Sequence, residues 1–338
     1  MKILCYDNKN DLAFLLPGIK LYPFVFSSEY GEFIKDAGQK LFIATDEDGV
    51  LMPFKIFKTK FLTVAKVLFP PLKNGIRLAQ EEEKKFLNQF VEHLSQTKLV
   101  DRIFPPENFC IFKTAPNGSV YAPFGTYTLH LDSQTKAELF ASLHGKHRNV
   151  IRNAEKNNAI IKYGEDQLPV FFELYKLTMQ RSNMYCEAYG YFSKFYKLLT
   201  DKNAICGVVY YNNVPQGALL MPFSHYGAFY LYGASANEIK LTGAMNYLHW
   251  NTINVLKERG VKQYDFVGAR LSDIAGTKLE GVQKFKERFG AELQKGIIWK
   301  MNINRAKCIA YDALLKIKCK LKGTAFPTDI IEQELKAK

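Results

Sequence analysis

The chain has 338 residues, 47% of them hydrophobic and 23% charged. Those proportions are those of an ordinary globular protein and exclude a fibrous or low-complexity chain. The formal net charge of +13 points to a polyanionic partner: RNA, a nucleotide diphosphate or anionic lipid.

Six cysteines at 5, 110, 186, 206, 308 and 319 form no CxxC pair, so they read as reduced thiols and not as a disulfide framework or zinc site. Charge arrives too early in Met1–Asp7 for a signal peptide, and no apolar run reaches the ~18 residues of a membrane span. The expected location is cytoplasmic, with peripheral contact to the inner face of a membrane left open. Nothing calls for a metal or redox cofactor.

In chain order, the pattern predicts a helix over residues 27–38, then a hairpin over Lys40–Lys60 turning at Asp46-Glu-Asp-Gly49. An amphipathic helix follows over Glu81–Gln96, then strands at Cys110–Thr114 and Val120–Leu131. Residues 168–199 (helices), 204–235 (strands turning at Asn212-Asn213 and His225–Gly227) and 243–260 (helix) repeat that plan. Two copies of one α/β unit are the natural inference, 1–133 and 134–304.

The link, Asp132–Lys162, has an apolar stripe of Leu139, Leu143, Val150 and Ala154. Arg148, Arg152 and Lys156 form a basic ridge beside it, which reads either as a solvated face or as a contact for a phosphate backbone. His144-x-x-His147 lacks an Asp, Glu or Cys at ligand spacing, so no metal site is expected there. Next, Pro169 suits a first helical turn, and Phe171, Phe172, Tyr175 and Met179 make a buried face. Arg181 borders that face near the helix end, placed to satisfy terminal carbonyls or to grip a phosphate or carboxylate with its planar fork.

Ala228–Ser235 alternates like a strand and ends in small residues. Lys240-Leu-Thr-Gly-Ala-Met245 then opens a helix whose inward positions are Met245, Leu248, Thr252, Val255 and Leu256. A glycine turn at a helix start is a candidate anion site, and Lys240 and Gly243 are its candidate donors. Gln263–Gly268 returns as a strand. In Glu280–Gly290, at ~100° per residue, Val282, Phe285, Lys286 and Phe289 share one inward stripe. An inward lysine either snorkels to the helix edge or aims its charge into a cleft, at negative charge on a substrate. Finally, Ala306–Gly323 mixes Ile309, Leu314, Leu315, Ile317 and Leu321 with five lysines, a basic amphipathic helix that could pack back on the first unit or lie on anionic lipid.

In this order the pieces resemble the GNAT acyltransferase fold, and more closely the Fem family of aminoacyl-tRNA-dependent peptidyltransferases that build peptidoglycan interpeptide bridges. The resemblance is carried by Tyr230-Leu-Tyr-Gly233, Tyr264–Gly268, Gly281–Gly290, the segment from Lys146 and the run Leu174-Tyr-x-x-Thr-x-x-Arg181-x-x-x-Tyr185. It implies an α/β (α+β) fold of two tandem GNAT-like units, the first being 1–133 with 305–338 returning to it and the second 134–304. Lys240-x-x-Gly243-x-Met245 looks like a worn form of the superfamily's pyrophosphate loop. The long helical arm of the FemA and FemB types is missing, which leaves the FemX-like plan.

The resemblance further implies catalytic roles for Lys286, as oxyanion stabiliser, and for the backbone at Phe285. It implies acceptor binding by Arg181 and Tyr185, by Lys35 in the segment Phe26–Lys35, and by Tyr230 and Tyr232 lining a cleft between units. The expected partners are an aminoacyl-tRNA donor and a nucleotide- or lipid-linked peptidoglycan precursor. Two other readings remain open: an acyl-CoA-dependent N-acyltransferase acting on a sugar or polysaccharide precursor, and a non-catalytic RNA- or lipid-binding protein.

Overall fold

The computed structural model describes residues 1–6 and 22–337. Their fold is mixed α/β. The first strands are β1 (Lys2–Cys5), β2 (Lys40–Thr45), β3 (Val50–Lys58) and β4 (Thr63–Val67), with a small hairpin of β5 (Leu72–Lys73) and β6 (Ile76–Arg77). Asp46 makes the β2–β3 turn by accepting from the N–H groups of Asp48 and Val50, each at 3.0 Å. Helix α1 (Ser28–Asp36) starts where Ser27 accepts from the Tyr30 N–H. Helix α2 (Gln80–Thr97) buries Phe86, Leu87, Phe90 and Leu94 against Phe54, Val67 and Ile103.

After β7 (Arg102–Phe104) and the long β8 (Val120–His130) come α3 (Lys136–Ser142), α4 (Gly145–Lys156) and β9 (Ile160–Tyr163). Helices α5 (Leu168–Arg181) and α6 (Tyr189–Asn203) lead to β10 (Ala204–Tyr211) and β11 (Val214–Pro222). The rest of the chain is β12 (Ala228–Phe229), β13 (Tyr232–Ser235), α7 (Ala244–Glu258), β14 (Gln263–Asp265), β15 (Ala269–Arg270), α8 (Lys278–Glu287), β16 (Glu292–Asn302), α9 (Arg305–Leu321) and α10 (Ile330–Lys336).

Twelve strands form one sheet in the order β1-β2-β3-β4-β7-β16-β8-β14-β12, with β5–β6 on β3 and β15 on β8. A second sheet has the order β13-β11-β10-β9. The large sheet runs through both halves because β16 pairs with β7 on one side and along β8 on the other. Strand β8, which lies before residue 133 in sequence, finds its strand partners among the described residues in β14, β15 and β16. Helix α9 packs on the early strands. Cys308 is buried with Leu62 and Val64, and Asp312 pairs with Arg102 at 2.7 Å. Helix α10 lies under the later half, where Ile331 packs on Ala122, Phe124 and Ile298.

Three local expectations need correction. Ala228–Ser235 is not one strand: β12 pairs in parallel with β14, while β13 joins β11 in the other sheet. One strand cannot serve two sheets, so the chain swings across at Tyr230, whose N–H still donates to Asp265 O at 2.9 Å. Cys110–Thr114 is reduced to a single bridge, Phe112 to Ile297, with prolines at 105, 106 and 116 limiting a longer ladder. Val282 is 42% exposed, because α8 is anchored at its end, by Lys286 in its last turn and by Phe289 just beyond it.

Candidate functional site

The site is built on the short loop between β14 and β15. Strand β14 stops at Asp265, and Val267 and Gly268 both take φ of +48°. That conformation costs a β-branched residue on the order of 1–3 kcal/mol unless its surroundings impose it. Here they do. The Val267 N–H donates to Asp265 Oδ1 at 2.7 Å, the Gly268 N–H donates to Asn108 O at 3.1 Å, and the Thr126 hydroxyl donates to the same Asp265 oxygen.

The carbonyls of this turn face Lys286. Its Nζ donates to Val267 O and, at 2.6 Å, to Gly268 O. The side chain comes from the last turn of α8 and is only 7% exposed. Burial lowers its pKa to about 8, with the Asp265 carboxylate pulling the other way. Asp265 is raised to about 6 by burial, against its hydrogen bonds and the charge of Lys286. The inward lysine of the sequence pattern is therefore a buried cation, and it grips backbone oxygens instead of snorkelling outward.

Val267 also forms part of the wall of a cavity of about 220 Å³ between the early strands and the later half. Tyr30 of α1, Lys55 of β3, Glu107, Tyr191 of α6 and Tyr232 of β13 complete the wall used here. Glu107 sits 3.0 Å from Lys66 and 3.7 Å from Lys55. Burial alone would raise its carboxyl, but the two lysines hold it below the usual value. Across from it the hydroxyls of Tyr191 and Tyr232 meet at 2.9 Å, and burial pushes Tyr191 up to about 12. The cavity thus offers the Lys55–Glu107 ion pair, a neutral hydroxyl pair and an apolar floor. That combination suits a polar acyl or amino-acid group.

Phe285 lies behind this site between two buried histidines. Its ring centroid is 5.4 Å from that of His147 and 5.3 Å from that of His249. Burial lowers His147 to about 4 and His249 to about 3, so both are neutral at physiological pH. The His249 ring accepts or donates at Tyr264 Oη, 2.7 Å away.

A family model described as the FemAB family matches residues 118–212 and 209–314. The chain belongs to the FemAB family. Among solved structures it is similar to "Crystal structure of FemX", with a TM-score of 0.66 at 15% identity, covering 90% of this chain and 98% of that one. It is also similar to a tandem GNAT protein from the clavulanic acid biosynthesis pathway, with a TM-score of 0.49 at 10% identity, covering 89% and 98%. A third likeness, a DUF2156 domain of a putative lysylphosphatidylglycerol synthetase from Agrobacterium fabrum, has a TM-score of 0.49 at 12% identity, covering 81% and 88%. No curated protein sequence matches. The fold is of the FemX type, and the protein is a Fem-type transferase.

The other site residues expected of a Fem protein fall in several places. Tyr232 lines the cavity, but Tyr230 does not. Where the strand splits, Tyr230 turns into the opposite core and packs edge-on to His249 at 4.4 Å. Lys35 is exposed on the last turn of α1, two residues beyond the cavity-lining Phe33. Arg181 uses its fork on the chain itself, donating to Ser235 Oγ at 2.9 Å and Asn237 Oδ1 at 2.6 Å. It is solvent-exposed, as is Tyr185 beyond it. Ser182 accepts from Lys278 at 3.0 Å, so the end of α5 and the start of α8 form one rim.

On the basic ridge of the Fem protein, Arg148 is already spent, donating to Ala141 O at 2.7 Å and to Leu143 O at the end of α3. Arg152 lies over the Phe140 ring at 5.3 Å, and both Arg152 and Lys156 are exposed. Gly243 starts α7 at φ +85°, and a Cβ there would sit 2.5 Å from Val150 Cβ on α4. The N–H groups of Lys240 and Leu241 both donate to the buried Gln216 Oε1, at 2.7 and 3.3 Å. The loop is packed from within.

Sequence reasoning missed Glu107, Lys55, Lys66 and Tyr191. The one signal for them was weak: a carboxylate after Pro105-Pro106, in a loop whose backbone is stiffened beside it.

Proposed function

We propose that this FemAB protein is an aminoacyltransferase carrying an amino acid from aminoacyl-tRNA to the amine of a nucleotide- or lipid-linked peptidoglycan precursor. The amine nitrogen attacks the ester carbonyl, the C–N bond forms, and the ester C–O bond breaks as the tRNA hydroxyl leaves. The amine's proton ends on the departing tRNA oxygen, and the carbonyl oxygen carries negative charge on the way. An ammonium has three N–H donors, and Lys286 directs two of them to Val267 and Gly268. The third remains for that oxygen, in a site where low water content strengthens the interaction. The backbone at Phe285, held between His147 and His249, helps position the acceptor. Arg181, Tyr185 and Lys35 contact the acceptor from the rim, and Tyr232 does so from the cavity wall.

The observation that favours one donor over the other is the loop at Gly243. A CoA pyrophosphate would need its backbone N–H groups, yet those of Lys240 and Leu241 are taken by Gln216 and Gly243 is covered by Val150. This supports tRNA over acyl-CoA. A purely binding role is disfavoured by the cost of keeping a cation buried at Lys286.

The test is a donor competition. Purified protein receives labelled aminoacyl-tRNA and labelled acyl-CoA, with nucleotide- and lipid-linked muropeptides as acceptors. Product from the tRNA is expected; product from acyl-CoA alone would overturn the reading.

A further inference from the structure

Helix α9 has an apolar outer face. At ~100° per residue, Cys308, Tyr311, Asp312, Leu315 and Cys319 share one side. That side meets the protein: Cys308 is fully buried, and Asp312 is paired with Arg102. The opposite side carries the ridge Ile309, Ala313, Ile317 and Leu321, with Leu314 beside it. Ile309, Leu314, Ile317 and Leu321 are 65, 59, 57 and 83% exposed. Single exposed aliphatic residues are commonplace, but four on one helix face form a patch.

Lysines border this patch over its later turns. By the same angular spacing, Lys316 and Lys320 lie on one edge and Lys318 on the other, where Lys307, in the first turn of the helix, is instead paired with Asp101 at 2.7 Å. The helix has one acidic residue, Asp312, which is turned inward and neutralised. Lys318, Lys320 and Lys322 are exposed and form no ion pair among the described residues. The outward surface is therefore apolar in the middle and cationic at its margins over the later turns, at Lys316, Lys318 and Lys320.

We propose that this face of α9 docks the protein on an anionic lipid bilayer. Aliphatic side chains in the middle enter the acyl boundary, and the flanking ammonium groups reach lipid phosphates. RNA would use the lysines but gain nothing from exposed isoleucine and leucine, since unpaired bases are held by stacking on aromatic rings. Lipid accounts for both halves of the pattern. The proposal concerns α9 alone and does not depend on which donor the site uses.

The experiment is co-sedimentation of the full chain with phosphatidylglycerol vesicles and, in parallel, phosphatidylcholine vesicles. Binding to the anionic vesicles is expected, and it should weaken as salt is added. Replacing Ile317 and Leu321 together by Glu should abolish it. Replacing Lys318, Lys320 and Lys322 by Ala should weaken it about 100-fold, at roughly fivefold per lysine. All five positions lie on the exposed side or end of α9, so near-ultraviolet circular dichroism and transfer to a nucleotide-linked acceptor should match the parent protein. Full vesicle binding by the Ile317→Glu, Leu321→Glu protein would overturn the proposal. So would a lysine variant that loses tRNA affinity while vesicle binding is unchanged, which would make the face an RNA contact.

Discussion

Lys286 and Val267 hold each other in place. The ammonium is buried and needs acceptors, while the Val267 peptide is left-handed and needs an anchor. The hydrogen bond from Nζ to Val267 O answers both. Because Val267 also faces the cavity, the lysine and the cavity wall form one unit.

The basic ridge should divide into two kinds of residue. Arg148→Ala removes two hydrogen bonds to the end of α3 and should cost about 1–3 kcal/mol of stability. Arg152→Ala with Lys156→Ala should leave the melting temperature near normal but weaken tRNA binding. The slope of log affinity against log salt should flatten by roughly 0.7–0.9 for each phosphate no longer neutralised. An unchanged slope would make these two an ordinary solvated face.

Glu107 should act through its lysines. Glu107→Gln leaves the charges of Lys55 and Lys66 without their shared carboxylate. Part of the cluster is wet, so a loss of about 1–2 kcal/mol is expected in thermal or denaturant unfolding. The acceptor KM should rise while the donor KM holds. A shift in donor KM alone would assign the cavity to the other substrate.

Rate and stability should respond to alkali in opposite directions. Burial brings Lys286 from 10.5 to about 8 in the folded chain, against the pull of Asp265. Between those values the unfolded chain binds more protons, so this residue's contribution to stability improves as pH rises from about 8 to 10.5. Turnover needs the ammonium, so kcat should fall over the same window. Asp265 has the reverse sense. Raised by burial from 3.8 to about 6, it keeps its proton longer when folded, and its contribution is lost as pH rises through about 6. The check is kcat and melting temperature against pH, with Lys286→Met as the stability control. The variant should lack the parent's alkaline improvement, and a parent kcat flat above pH 8 would contradict the role of the ammonium.

Elements governed by local chemistry were legible in the sequence. The Asp46 turn, the Ser27 start of α1 and the inward direction of Lys286 follow from residue type and spacing, and the structure has them. Features that depend on distant partners were not. Nothing in Ala228–Ser235 says that its two ends pair with different sheets, because that depends on where β14 and β11 lie. Val282 has the right spacing for burial, but α8 extends past its support. Glu107 has no periodicity to mark it, and its lysines come from two strands far away in sequence. Arg148 and Arg181 were legible as cations, but the carbonyls and side chains that occupy them belong to neighbouring elements.

The most direct test of the account is single-turnover transfer from pre-charged aminoacyl-tRNA by Lys286→Met. Methionine keeps most of the stem's bulk and removes the charge. Losing one oxyanion donor typically lowers turnover on the order of 10²–10³-fold, about 3–4 kcal/mol. The account predicts a loss of that size with tRNA binding near normal. Lys284→Met, at an exposed lysine paired with Glu280, should remain close to the parent. Equal transfer rates in the two variants would contradict the account and leave Lys286 as a structural clamp on the Val267 turn.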